Sequence, residues 1–265
     1  MTEPVNVEQF WQQPPWADAK PKYRLGLSPI PIEDWFTQPI APVVLQHKRQ
    51  MLKQQYSDVV AVSEDHGSLG AQRELSPFLT ATDEFPDPIA NMALSVDDDL
   101  CIMQATGKQR LVAGCVCSPS YWNLHSKIGM PLRHIHGPVI SMNGKIGDPI
   151  ERFINRAPLL QPFERINWFI LSDNQRWHPV EEPLLQTPVA TWQIRSERET
   201  LCRYSDEHLL FTINTRFQPI AAIAEHPKAQ ADLQATLMNL DADEVDYFGG
   251  PDKCAMLIEY LESLG

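Results

Sequence analysis

The stretch Arg133-His134-Ile135-His136-Gly137-Pro138-Val139 holds two histidines one residue apart, followed at once by two residues that break regular structure. In an extended segment side chains alternate between faces, so this spacing predicts that His134 and His136 point the same way. Gly137 removes a side chain next to His136, and Pro138 fixes the turn that follows. A histidine held in this way can ligate a metal through a neutral ring nitrogen, act as a base near neutral pH, or be a hydrogen-bonded structural residue at a strand end. With a carboxylate such as Glu151 the two histidines would also make a facial metal triad. The spacing alone leaves these readings open.

The elements that must position this stretch follow from periodicity. Residues 1–41 combine many prolines with Phe10, Trp11, Trp16 and Tyr23, which predicts an extended arm wrapped over the rest of the chain rather than a helix. A first helix is expected from about Ala41 to Tyr56, with Pro42 in its first turn and His47-Lys48-Arg49 as a solvated basic face. Residues 63–88 read as loop-rich, followed by a short helix near Pro88–Leu94 and a turn at Asp97-Asp98-Asp99. Leu100–Gln104 and Arg110–Ser118 read as a hairpin around Thr106-Gly107-Lys108. Short helices are expected at Tyr121–Ile128 and Asp148–Asn155, a third strand at Arg165–Leu171, and a loop from Asp173 to Pro188.

Two long strands follow. From Thr191 to Arg203 the alternation places Trp192, Ile194, Ser196, Arg198, Thr200 and Cys202 on one face and Gln193, Arg195, Glu197, Glu199 and Leu201 on the other. From Leu209 to Phe217 one face is Leu209, Phe211, Ile213, Thr215 and Phe217, and the opposite face carries Leu210, Thr212, Asn214 and Arg216. The chain from 219 to 265 reads as helical, with an amphipathic stripe in Pro251–Leu264. Five strands in hairpin-like order with intervening and terminal helices define an α+β fold on an antiparallel sheet, with no clean domain boundary.

Composition narrows the function classes. The formal charge of −12 argues against a nucleic-acid surface and against a lipid-dependent peripheral domain. No apolar run approaches the roughly 20 residues that span a bilayer. The start Met1-Thr2-Glu3-Pro4 lacks the features of a secretory signal. Five cysteines, an odd number in mostly apolar runs, are expected to be reduced and buried in a cytoplasmic protein.

An ordered series of blocks resembles one family. These are Arg24-Leu25-Gly26-Leu27-Ser28-Pro29-Ile30, Asp98–Met103, Leu111–Trp122, Lys127–Leu132, Ile135-His136-Gly137-Pro138-Val139, Arg165-Ile166-Asn167-Trp168, Ile194–Leu201 and Leu210–Ile213. Together they span approximately residues 24–220 and resemble the haem-dependent oxidative N-demethylase α-subunit family. The resemblance implies a PAS-like domain over residues 1–265 that holds a b-type haem. It implies oxidative demethylation of a small secondary amine such as dimethylamine, with dioxygen and electrons from a separate flavin and iron–sulfur reductase. The chain itself has neither a dinucleotide fingerprint nor a four-cysteine cluster spacing. It departs from the family pattern at Ile140-Ser141-Met142-Asn143, where a second proline is usual. It departs again at Tyr247-Phe248-Gly249-Gly250, where a more basic sequence is usual.

Under this resemblance His136 is the expected proximal ligand of the iron, with His134 a secondary residue. Arg195, Arg198 and Arg216 are the expected partners of the haem propionates, because the planar guanidinium matches a carboxylate. Glu197 suits a cationic amine, and Trp168 offers an aromatic wall to a small alkylammonium. The same charges would also fit simple ion pairs, Arg195–Glu197 or Arg198–Glu199, on a solvated face. A haem-binding PAS-like sensor without turnover, and a non-haem metal enzyme built on His134 and His136, are the alternatives.

Overall fold

The computed structural model describes residues 7–22, 24–64, 67–135, 140–180 and 187–265, without the side chains of 7–9, 140–143 and 145. Its strands are β1 (Ser28–Pro29), β2 (Val60–Val62), β3 (Asp99–Gln104), β4 (Leu111–Cys115), β5 (Phe163–Leu171), β6 (Gln193–Arg203) and β7 (His208–Pro219). All pair antiparallel in one sheet of order β1-β5-β6-β7-β3-β4-β2. The helices are α1 (Val7–Gln12), α2 (Pro42–Gln54), α3 (Tyr56–Val59), α4 (Ser68–Leu75), α5 (Pro88–Ala93), α6 (Leu132–Ile135), α7 (Ile140–Arg156), α8 (Pro227–Met238), α9 (Ala242–Phe248) and α10 (Pro251–Ser263). None of the described helices is long and apolar enough to cross a membrane.

The strand pleat divides the side chains between two faces. On the outer face Leu100, Ile102, Cys202 and Leu210 pack with Met51 and Leu52 of α2, Leu75 of α4 and Ile89 of α5. Farther along that face Trp168, Ile170 and Ile194 meet Trp11 and Trp16 of the arm and Leu233, Leu257 and Leu261 of the C-terminal helices. On the inner face Cys101, Met103, Leu201 and Leu209 pack with Leu132 of α6 and Ile154 of α7. Gly114 in β4 leaves room for Leu124, whose side chain would have to shift to admit a Cβ 2.7 Å away. Burying several large apolar side chains on both faces, each worth roughly 1.5–3 kcal/mol, gives the sheet its dominant stabilisation.

Several sequence expectations change. Trp16 and Trp35 of the arm are buried, but the arm is not extended throughout. Val7–Gln12 precedes Pro14 and Pro15 and is free to coil into α1, with Trp11 stacked on His226. Tyr121–Ile128 is irregular: Tyr121 has a φ of 54°, its N–H donates to the His178 carbonyl, and the Asn123 side chain takes the Ser126 N–H. Helix α7 begins at Ile140, eight residues before the expected start, and carries Pro149 in its interior.

Lys48 is fully buried rather than on a solvated face, its ammonium donating to the carbonyls of Ala93, Val96 and Asp98. The acidic turn is also internal. Asp97 accepts the N–H of Ala41, Asp98 that of Thr37 and Asp99 that of Ser118, so the three carboxylates tie the arm and β4 to β3. All five cysteines are buried and free.

Candidate active site

The inner face of β5, β6 and β7 carries a lattice of polar and aromatic residues fixed by register. Arg165, Glu199 and Ile213 are cross-strand neighbours, as are Asn167, Glu197 and Thr215, and then Phe169, Arg195 and Phe217. These rows adjoin the apolar row Phe163–Leu201–Phe211, over which Phe153 of α7 packs edge-on to Phe163 with centroids 4.9 Å apart. Glu197 and Glu199 are buried, whereas Phe211, Ile213 and Phe217 are only partly covered. A buried charged row beside a half-covered apolar floor is a surface of mixed polar and apolar character that a ligand could complete.

Arg195 is the centre of this lattice and has no exposed surface. Its Nε and Nη2 both lie 2.8 Å from Oε1 of Glu197, and Nη2 also donates to the Ser118 carbonyl at 2.5 Å and to the Thr215 hydroxyl at 3.0 Å. Its Nη1 is buried with no hydrogen-bond acceptor among the described residues. Leaving such a donor unsatisfied costs about 1–3 kcal/mol, more for a charged group, so an anionic acceptor at this position would be favoured. Glu197 is held by a second donor, the Asn167 amide at 3.1 Å from Oε2. Arg176 stands nearby: its guanidinium is 5.8 Å from the Phe217 ring centroid and that of Arg195 5.9 Å, and Arg176 donates to the Thr215 carbonyl.

Arg165 pairs with Glu199 through its Nε. Burial pushes the Glu199 carboxyl up, against the pull of Arg165. Tyr247 of α9 packs near Phe169 at 6.0 Å, and burial beside Glu197 and Glu199 pushes its phenol up to about 12. At the edge of β5 the Lys22 ammonium donates to the Trp168 carbonyl and lies over the rings of Phe169 and Trp168.

The expected site residues separate. Arg195 and Glu197 share the inner face and pair as anticipated, but inside the protein rather than on a solvated face. Arg198, Arg216 and Trp168 lie on the outer face, so the three arginines are not brought together. Arg198 is engaged by Glu164 and by the carbonyls of Asp34 and Trp35, not by Glu199. Trp168 packs against Trp16 and Phe248.

His136, with Gly137-Pro138-Val139, lies outside the described residues. His134 is exposed and sits in the single turn of α6, where its N–H bonds to the Pro131 carbonyl, so the extended geometry expected around it is replaced by a helical one. The carboxylate of Glu151 is held by both Nε and Nη2 of Arg133. No group of three His, Cys, Asp or Glu suited to a metal comes together among the described residues.

Sequence reasoning passed over Arg165, Asn167, Arg176, Lys22 and Tyr247 as site residues. Arg165, Asn167 and Phe169 alternate along one strand, which was a usable signal. The others join the site only through tertiary packing.

An antiparallel α+β protein with a buried arginine–carboxylate lattice under two helices is the class that fold and site define. A family model for the haem-dependent oxidative N-demethylase, alpha subunit-like proteins matches residues 44–252, and the chain belongs to that family. No curated protein matches it.

Proposed function

We propose that this chain is the haem-binding α-subunit of an oxidative N-demethylase acting on a small secondary amine such as dimethylamine. The observation that carries the reading is the buried Nη1 of Arg195, a charged donor without an acceptor on the face covered by α6 and α7. Family membership supplies the chemistry. A PAS-like architecture is supported by the order β4-β3-β7-β6-β5, with α6 and α7 inserted between β4 and β5 and packed on one face.

The residues present fit a b-type haem. Phe211, Ile213 and Phe217 offer an apolar floor, Arg195 offers a guanidinium to a propionate, and His136, in the segment joining α6 to α7, is the residue assigned to the iron. Bound there, haem would supply dioxygen activation. With two electrons and two protons, one dioxygen converts the secondary amine to the primary amine, formaldehyde and water. The electrons come from a separate reductase, here a flavin and iron–sulfur protein, and the location proposed is cytoplasmic.

The chain's own residues bind and orient. Glu197, fixed between Arg195 and Asn167, presents a carboxylate to a cationic amine, and Trp168 provides a ring face at the strand edge. Glu197 and Glu199 are buried and paired with Arg195 and Arg165, so a cation bound here would share carboxylates that water does not reach.

The test is haemin titration of the purified protein followed at the Soret band, with His136→Ala beside the wild type. Tight binding in the wild type and a changed spectrum in His136→Ala support the reading. Amine-dependent oxygen consumption with a reductase, together with formaldehyde release, then separates an enzyme from a haem sensor. A protein that takes up no haemin would overturn the proposal.

A further inference from the structure

The arm places Lys22 where a cation is recognised. Its Nζ lies 4.1 Å from the ring centroid of Phe169, 4.7 Å from that of Trp168 and 5.8 Å from that of Phe248. It also donates to the Trp168 carbonyl. Trp168 and Phe169 are consecutive on β5 and point to opposite faces, so the ammonium sits at the strand edge. Strand β1 covers that edge only at Phe163 and Glu164. The third ring is set by the end of α9. Gly249, at a φ of 117°, turns the chain there, and Lys253 of α10 donates to the Phe248 carbonyl. The charges facing Lys22 are Glu197 and Glu199 of β6, which favour its cation, and Arg165 of β5 and Lys253 of α10, which oppose it.

A positive charge against ring faces is held by the aromatic quadrupole, an attraction that strengthens when water is excluded. The last methylene and ammonium of a lysine have the shape and charge of a small alkylammonium. What holds Lys22 here would therefore hold a free amine cation of the same size.

We propose that the Trp168–Phe169–Phe248 box is a binding site for a small alkylammonium, and that Lys22 fills it from within, so that an amine enters only when the arm carries Lys22 out. This rests on the reading of Glu197 and Trp168 as the amine site and adds an internal competitor to it. The apparent affinity for amine is then lowered by the fraction of molecules in which Lys22 occupies the box.

Burial draws the Lys22 ammonium down to about 7, against the pull of Glu197. Above that pH the lysine in the box lacks a proton that it must take up again on returning to water, while dimethylammonium in water stays charged. The competitor therefore strengthens as pH rises from 6 to 8, and amine affinity in the wild type falls with it. A contribution from Glu199 would be common to wild type and variants, so their difference reports Lys22.

The experiment is titration of the full chain with dimethylammonium chloride, read by tryptophan fluorescence and calorimetry, with potassium chloride at equal ionic strength as control. Lys22→Ala is expected to bind at least about tenfold more tightly than the wild type at pH 6. It is also expected to recover lost thermal stability on adding dimethylammonium but not potassium. Lys22→Gln keeps the stem and removes the charge. It remains informative should the alanine variant not fold, because it is expected to remove the Lys22 share of the fall in affinity between pH 6 and 8.

Equal affinity in wild type and Lys22→Ala, rescue by potassium, or a pH dependence in Lys22→Gln as steep as that of the wild type each overturn the proposal. Haemin binding is read separately. Failure to take up haemin sinks the haem assignment, whereas normal uptake with an unresponsive box sinks the Lys22 assignment alone.

Discussion

Among the described residues Lys48 and Arg195 are cations with no exposed surface, and they are treated differently. Lys48 has three N–H donors and finds three carbonyls at 3.1, 3.0 and 2.6 Å, with Asp99 at 3.7 Å. Arg195 has five N–H donors, and those on Nη1 have no acceptor among the described residues. The two are linked through one chain of contacts: Asp99 accepts the Ser118 N–H, and the Ser118 carbonyl accepts from Arg195. A satisfied buried charge fixes structure, as Lys48 does by joining α2 to the turn before β3. A partly satisfied one on the same network is what a binding site retains, because the protein that holds its ligand must keep a donor in reserve.

The largest effect expected from this contrast is on folding. Lys48→Met leaves three buried carbonyls and Asp99 without their cation, and should cost about 3–5 kcal/mol in urea unfolding. The fraction that remains folded should titrate with haemin as the wild type does. A variant that keeps its stability but loses haemin binding would reverse the roles assigned to the two cations.

Asp98 tests the same structural node by pH. It is fully buried, accepts from Thr37 N–H and lies beside the Thr212 hydroxyl, and burial raises its carboxyl to about 6. A folded-state value above the unfolded one means that the native protein holds the proton more tightly. The stability from this group is therefore complete below pH ~4 and is lost as pH rises through 6. Asp98→Asn keeps an acceptor for Thr37 and does not ionise. Relative to the wild type it should gain stability between pH 4 and 7, by about 3 kcal/mol at the upper end. A wild-type minus variant difference that is flat with pH would refute the buried-acid description.

At Arg195 the expected effect moves from stability to binding. Arg195→Lys keeps a positive charge beside Glu197 but loses the planar fork, and with it the donors on Nη1. Haemin affinity should fall about tenfold, equivalent to about 1.4 kcal/mol, with little change in melting temperature. Unchanged affinity would remove Arg195 from the propionate role.

The pairing of Arg195 with Glu197 was legible in the sequence because strand alternation placed both on one face, and β5, β6 and β7 were located for the same reason. What remained hidden depended on register and packing. Nothing in the pattern of β5 says that Arg165 meets Glu199, because that requires knowing which residues of β6 lie opposite. Lys48 looked like part of a surface patch because its partners are carbonyls 45 to 50 residues away. Strands β1 and β2 are two and three residues long, too short for an alternation to register. Proline favours a first turn, so Pro149 predicts a helix start near it, while Gly144 weakens the pattern before it; α7 starts at Ile140. Lys22 and Phe248 come from opposite ends of the chain, and no local signal joins them.

The smallest effect separates the two faces of the sheet. Arg198 resembles Arg195 in sequence, three residues along the same strand, yet the odd spacing turns it to the outer face. There Nε meets Glu164 at 2.8 Å, Nη2 meets the Asp34 carbonyl at 2.6 Å, and Nη1 reaches that of Trp35 at 3.4 Å, so the fork clamps the arm onto β5 and β6. Arg198→Lys keeps the pair with Glu164 and loses the reach to the arm, which should cost about 1 kcal/mol or less. Because a flat ligand on the inner face cannot touch the outer one, haemin affinity should be unchanged, while limited proteolysis within residues 24–36 should quicken. A fall in haemin affinity as large as that expected for Arg195→Lys would mean that the ligand lies on the outer face instead, and Arg216 would then be the next residue to substitute.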